Sequence, residues 1–248
     1  MKYQLGIAVF GGLVLLGGCS GSKKETAAAG SNYKPQEVST IETIPYKAGD
    51  EDLLFPMKVG NTWTYNVEIT VQTPNSPAKK QMTQDLILRC TNVVQLADQT
   101  RATIEAVLDG RVNERQIWIM NSKGLYQESV GQPPKMFNPP QPAFLKPLTT
   151  DSKFKWAGNG FTPDGKISSC EAMSKIIGPQ PVDTGLGRVE AIAVENALKW
   201  KGGVAISKTW WAPKIGIVRY RQEALIGDKK TGVSSAVQVM RLVSKDLK

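Results

Sequence analysis

The chain of 248 residues contains no histidine and three cysteines. Because histidine is the commonest general base and a frequent metal ligand, its absence excludes Ser-His-Asp catalysis, Cys-His catalysis and histidine-based zinc sites. Neighbouring carboxylates do not compensate: Glu190 and Glu195 have opposite parity on a strand and would face different sides of a sheet. We therefore expect no metal, no cofactor and no enzymatic activity, unless carboxylates from distant positions converge in a cleft.

The chain begins with an apolar run that is too short to cross a membrane as a helix. This uncharged run extends from Leu5 to Leu16, about 12 residues, which is typical of a signal peptide. Lys2 precedes it, and Leu16-Gly17-Gly18-Cys19 ends it. The ending resembles the lipobox of bacterial lipoprotein signals, in which the peptide is cut before the cysteine and the cysteine is acylated.

The lipobox resemblance implies an extracytoplasmic protein of the cell envelope, held to a membrane by lipid on Cys19. Two or three acyl chains anchor a protein stably. Ser20, in place of aspartate, implies sorting to the outer membrane if the bacterium has two membranes. The alternative is an ordinary cleaved signal followed by a buried cysteine, but the polar residues from Cys19 to Lys24 offer nothing to bury it.

Composition divides the chain into three segments. Residues 1–18 are the expected signal peptide. Residues 19–52 are polar and without a sustained apolar period, which predicts a lipidated flexible tether that spans roughly 30 Å as a coil. Residues 53–248 are expected to form one β-rich extracytoplasmic domain.

Charge is biased toward lysine and arginine, with a formal net charge of +9. A basic surface outside the cytoplasm attracts lipid headgroups, anionic wall polymers or acidic proteins. We expect no nucleic acid partner, because a secreted lipoprotein rarely meets one. A solvated, lysine-rich surface without a specific partner is the alternative.

Hydropathy has period two in the domain, which indicates half-buried strands. Apolar and polar residues alternate from Trp63 to Val71, Asp109-Gly110 predicts a tight hairpin, and residues 121–124 predict the next turn. Further strands are expected at 102–108, 112–120, 125–130, 167–176, 188–200, 204–211, 216–225 and 233–243. About nine strands predict an all-β fold, with a single antiparallel sheet as a curved open barrel or a sandwich.

Two motifs resemble segments of uncharacterised bacterial lipoproteins. One is Leu54-Phe55-Pro56-Met57-Lys58-Val59-Gly60-Asn61-Thr62-Trp63-Thr64-Tyr65, which resembles an opening motif of that group. The other is Thr209-Trp210-Trp211-Ala212-Pro213-Lys214-Ile215-Gly216-Ile217-Val218-Arg219, which resembles a closing motif. The resemblance implies a curved antiparallel sheet, with unclosed barrels like the lipoprotein-carrier folds as one form, and it supplies no catalytic residues.

Five apolar side chains form the candidate surface for a ligand or partner. Because strand neighbours face opposite ways, Trp210 and Trp211 are not both expected in a one-sided core, and the outward ring could stack on a sugar or an acyl chain. Met136, Phe137 and Phe144 lie in a segment, 132–147, with six prolines. Such a segment predicts an irregular loop that acts as a lid, docks a partner or seals its own core.

Cys90 and Cys170 are the remaining cysteines. An exported chain permits a disulfide between them, which would close a loop of about 80 residues. Each also lies in a strand-like run, where a buried thiol would serve as packing. Both alternatives stay open.

These observations lead to two functional hypotheses. The first is a non-catalytic, lipid-anchored envelope protein that binds an apolar ligand or a protein partner. The alternative is a structural envelope protein that contacts anionic wall or membrane material through its basic surface.

Overall fold

The computed structural model describes residues 3–7, 13–17, 46–74, 76–163, 165–228 and 232–248. Within the predicted signal peptide, β1 (Tyr3–Ile7) and β2 (Leu13–Gly17) pair as a two-stranded antiparallel sheet. Cys19 and the tether as far as residue 45 lie outside the described residues. In the part of the chain that is described, no helix has the length and apolar character needed to cross a membrane.

Twelve further strands form one closed antiparallel barrel, in which each strand pairs with the next and the last pairs with the first. The strands are β3 (Thr62–Thr73), β4 (Ser76–Gln95), β5 (Gln99–Leu108), β6 (Arg111–Asn121), β7 (Gly124–Gly131), β8 (Lys135–Leu145), β9 (Lys153–Phe161), β10 (Ile167–Thr184), β11 (Gly187–Trp200), β12 (Gly203–Ala212), β13 (Gly216–Asp228) and β14 (Gly232–Asp246). A four-residue 3-10 turn, Glu51–Leu54, precedes them.

The predicted all-β fold class is confirmed, and the sheet is closed rather than open or divided into two layers. Closure depends on β14, which pairs with β3 from Ser235 opposite Gln72 to Asp246 opposite Thr62. Pairing of the first and last strands removes the edges that an open sheet would expose.

The local signals of the sequence agree with the structure where they are strongest. Along β3 the residues from Trp63 to Val71 alternate between buried and less buried positions. Asp109 and Gly110 have φ values of 48° and 73°, which a tight hairpin with both central residues left-handed requires. Asn121 is paired with Gly124 across the next predicted turn, and its side chain accepts the Gly124 N–H.

The prediction of an irregular loop at 132–147 was wrong, because Lys135–Leu145 is strand β8. Its ladder to β7 has register shifts on both sides of the pair formed by Gln127 and Gln141. On its other side β8 is paired with β9 at one position, Asn138 with Asn159. Prolines are tolerated in a strand whose N–H groups are not all needed for pairing, and this one is the most weakly joined part of the barrel.

The turns fall at two ends of the barrel. The proximal end contains residues 46–61, where the described domain begins, together with the turns at 122–123 and 213–215. The distal end contains the end of β3 and the turns at 109–110 and 201–202.

The two motifs that resemble lipoprotein segments are in direct contact at the proximal end. The indole N–H of Trp63 donates to the carbonyl oxygen of Ile215 at 2.6 Å. The hydroxyl of Tyr65 donates to the carbonyl oxygen of Ile217 at 2.9 Å. Both aromatic donors are buried, so these bonds join β3 to the start of β13 across the barrel interior. The two motifs therefore form one structural unit.

Candidate ligand-binding site in the barrel interior

Four of the five predicted surface residues are buried. Met136 is 50% exposed, but Phe137, Phe144, Trp210 and Trp211 are 3%, 0%, 8% and 1% exposed. The aromatic residues therefore do not form an external ligand surface, and this prediction is corrected.

Trp210 and Trp211 are both buried, Trp210 on the outer side of the barrel wall and Trp211 on the inner side. A register shift separates Trp210 from Trp211 in the β12–β13 ladder. The Trp210 indole N–H donates to the side chain of Gln180 at 3.2 Å, and the cations of Lys208 and Arg219 lie 5.1 and 5.3 Å from its ring centroid. These neighbours cover the outward ring, so it is not available for stacking on a sugar or an acyl chain.

Cys90 and Cys170 are both buried, and they are not joined by a disulfide. Cys90 packs in a cluster with the proximal aromatic residues, whereas Cys170 packs in a second cluster with Trp156 and Trp200. Of the two alternatives left by the sequence, the structure contains the pair of buried thiols.

A partly open cavity of about 70 Å³ lies between these two apolar clusters. A single water needs roughly 10–15 Å³, so the cavity has room for a small ligand or for one group of a larger ligand. Its lining residues come from six strands and carry no carboxylate, ammonium or guanidinium group. They are Trp118, Gln127, Gln141, Pro142, Ala143, Val194, Asn196, Leu198, Ala205, Ser207, Thr209, Trp211, Tyr220 and Gln222.

A row of polar residues crosses the interior beside this cavity. Its members stand directly opposite one another on five neighbouring strands. They are Ser174, Asn196, Ser207, Gln222 and Gln238 on β10 to β14. On β10, β11, β13 and β14 the polar residue interrupts an alternating apolar series, whereas on β12 Ser207 is followed by Thr209. On β13, for example, Tyr220 belongs to one apolar cluster, Ala224 to the other, and Gln222 lies between them. The row therefore forms a polar layer that separates the two halves of the core.

Two donors at the cavity have no hydrogen-bond acceptor among the described residues. They are the amide nitrogen of Gln127 and the indole nitrogen of Trp211. A buried donor without a partner costs about 1–3 kcal/mol. Trp211 is nevertheless held in place, because its ring makes edge contacts with Phe55, Trp118 and Phe144 at centroid distances of 5.7, 6.4 and 5.5 Å.

The second tryptophan of the cavity is fixed by a short relay along the inward face of β6. The Trp118 indole N–H donates to Gln116 at 2.9 Å, and the Gln116 amide donates to the Glu114 carboxylate at 2.5 Å. Glu114 is 2% exposed. Since the Trp118 N–H is engaged in this relay, Trp118 offers the cavity mainly the apolar surface of its ring.

Tyr220 stays neutral in this environment. Burial raises the pKa of its hydroxyl above the usual value, the hydrogen bond with Ser207 opposes the change, and the nearby Glu114 carboxylate adds to it. The complete lining is thus uncharged over the physiological pH range. Indole faces, amides and hydroxyls in such an arrangement suit a neutral ligand that has an apolar face and hydrogen-bonding groups.

Sequence reasoning singled out Trp211 as part of an external surface, not of an internal cavity, and it missed the polar layer. A usable signal existed, because each member has the parity of the buried positions in its own strand, as in Tyr220-Gln222-Ala224. The lateral alignment of the five residues depends on the register between strands, which no local pattern reveals.

Two solved structures resemble this chain distantly. One is a proposed lipoprotein from Parabacteroides distasonis, with a TM-score of 0.48 and 12% identity over 78% of this chain and 98% of that chain. The other is a proposed exported protein with a YmcC-like fold from Bacteroides fragilis, with a TM-score of 0.43 and 14% identity over the same shares. No protein-family model matches the chain, and no curated protein matches it.

Proposed function

We propose that this chain is a non-catalytic, lipid-anchored protein of the cell envelope whose barrel binds a small uncharged ligand, or an uncharged terminal group of a larger one. The observation that carries the ligand proposal is the neutral cavity with two unpaired donors, on Gln127 and Trp211. An apolar ligand without hydrogen-bonding groups would leave both donors unpaired, so the ligand class is narrower than the sequence indicated. The lipobox supports the envelope address.

Binding of a neutral polyhydroxyl probe should depend on the Gln127 amide. We expect saturation-transfer NMR to detect N-acetylglucosamine on the full chain but not hexanol, and we expect Gln127→Leu to abolish the signal. The same substitution should raise the free energy of unfolding by about 1 kcal/mol, because it removes an unpaired buried amide.

Gln238→Leu is the matched control. Gln238 belongs to the polar layer and both of its amide atoms are unpaired among the described residues, but it does not line the cavity. It should gain similar stability and keep probe binding. Equal loss of binding in the two variants, or unchanged binding in Gln127→Leu, would refute the assignment of the site.

The anchor is tested by metabolic labelling with palmitate. Cys19→Ser should take up no label, because the thiol that accepts the lipid is removed, whereas Cys90→Ala should be labelled like the parent chain since Cys90 is buried. If the parent and Cys19→Ser are labelled equally, the lipobox assignment is wrong.

The alternative function, contact with anionic wall or membrane material, is favoured by a separate observation, an exposed apolar patch on the outer wall of the barrel with lysines at its edge.

A further inference from the structure

Lysines without an acidic partner lie at both ends of the barrel. Some proximal lysines are paired with acids, Lys146 with Asp52 and Lys248 with Asp246 at 2.9 Å, but the exposed side chains of Lys47, Lys58 and Lys214 have no ion pair among the described residues. At the distal end the exposed side chains Lys79, Lys80, Lys199 and Lys201 have no carboxylate at ion-pair distance among the described residues. These four lysines place exposed positive charge at the distal end of the barrel.

Exposed apolar side chains are concentrated in the same region. Val233, Ile206 and Leu225 are 62%, 58% and 52% exposed, and all three lie in the distal halves of β12, β13 and β14. Side chains of this size are normally scattered singly over a surface.

Strand register joins these residues into one patch on the outer wall. Met173 is opposite Ala197, Ala197 is opposite Ile206, and Val204 is opposite Leu225. These positions have the parity opposite to that of the buried residues on each strand, so they face outward. The distal wall patch consists of Met173, Ala197, Val204, Ile206, Leu225 and Val233.

The edges of the distal wall patch are charged. In the row that contains Val204 and Leu225, Lys199 stands opposite Val204, and Lys201 follows in the next turn. Two acids lie nearby: Glu171 is opposite Lys199, and Glu223, opposite Ile206, accepts from Arg221. Counting Lys79 beyond β3, the surroundings of the patch carry more positive than negative charge; Lys80, opposite Val71, has the parity of the inward side of the sheet.

We propose that the distal wall patch docks on the surface of an anionic lipid bilayer. Apolar side chains that enter the headgroup boundary, surrounded by lysines that attract anionic lipid, are the two elements of interfacial membrane binding. A second copy of the chain would place the same unpaired lysines together, which like-charge repulsion disfavours. The inference builds on the alternative function above and does not depend on the cavity.

The test uses the full chain with Cys19→Ser, so that no acyl chain contributes, and vesicles of phosphatidylcholine with or without phosphatidylglycerol. We expect co-sedimentation with the anionic vesicles that weakens as salt rises. Ile206→Asp combined with Leu225→Asp should lower the affinity at least about tenfold, because two apolar side chains lose their burial in the bilayer. Lys199→Glu combined with Lys201→Glu should also weaken binding to anionic vesicles and should leave the circular dichroism spectrum unchanged.

The control is Ile87→Asp, which changes an exposed apolar side chain on the outer wall of β4, outside the patch, and should not alter binding. The proposal is overturned if both double variants bind like the parent, if binding does not require phosphatidylglycerol, or if Ile87→Asp is equally impaired. It is also overturned if the parent chain ignores vesicles and the patch variants instead dissociate a dimer. N-acetylglucosamine binding should be unchanged in the patch variants, so the membrane proposal and the cavity proposal are tested independently.

Discussion

Trp63→Ala should lower the free energy of unfolding by about 4 kcal/mol, near the upper range for loss of a buried aromatic side chain. Trp63 is 1% exposed and stacks on Phe55 with a centroid distance of 5.7 Å. Its removal leaves a cavity and also leaves the Ile215 carbonyl without its 2.6 Å hydrogen bond. Urea unfolding followed by circular dichroism measures the change.

Two further variants divide this loss into its parts. Trp63→Phe keeps most of the ring but lacks the N–H, so it should cost about 1–2 kcal/mol. Trp210→Ala removes the same residue type from the outward face and should cost about 3 kcal/mol, because Trp210 also packs in an apolar cluster but is more exposed than Trp63 and donates to a side chain instead of the backbone. If Trp63→Ala costs no more than Trp210→Ala, the contact between the two motifs is not a principal source of stability.

The pairing of the two motifs also explains why the sequence could identify them but could not relate them. Each motif is a local pattern of aromatic residues, glycine and proline. The bonds from Trp63 to Ile215 and from Tyr65 to Ile217 join positions 152 residues apart. Only the closure of β14 on β3 brings them together, and closure is a property of the complete set of ladders.

The all-β class was predictable because it depends on side-chain parity and turn residues, which are local. Strands β8 and β9 were not predicted, because their prolines and glycines indicate a break in a sheet when only the sequence is known. In the structure, contacts between the two strands explain these residues. A Cβ at Gly158 would lie 2.5 Å from the Asn138 carbonyl oxygen, and one at Gly160 would lie 2.9 Å from the ring of Phe137. Glycine in β9 therefore permits the close approach of β8 rather than marking a break in the sheet.

The candidate site was predictable only in part for the same reason. Parity alone assigns one of Trp210 and Trp211 to the outside, and the structure agrees that one faces outward. Parity does not indicate that Gln180, Lys208 and Arg219 cover that ring. The cavity, with its two unpaired donors, arises where strands that are distant in sequence meet around the barrel.

Gly124→Ala should be the most damaging of three glycine substitutions, with a loss of about 4 kcal/mol in the free energy of unfolding. Gly124 begins β7 with φ at 152°, and a Cβ there would lie 2.2 Å from the carbonyl oxygen of Phe144. Because that oxygen belongs to the β8 backbone, the clash cannot be relieved by a rotamer change. It must displace the β7–β8 ladder, and β8 is the strand with the weakest pairing on its other side.

The other two glycines separate the causes. At Gly110, φ is 73° and no atom lies within 4 Å of an added Cβ, so alanine should cost about 1 kcal/mol through backbone strain alone. At Gly203 the Cβ would lie 2.2 Å from the Leu225 carbonyl oxygen without a positive φ, so alanine should cost about 3 kcal/mol through the steric clash alone. Thermal or urea unfolding of the three variants should give the order Gly124, Gly203, Gly110. A Gly124→Ala protein as stable as Gly110→Ala would mean that β7 and β8 do not approach each other as closely as the barrel requires.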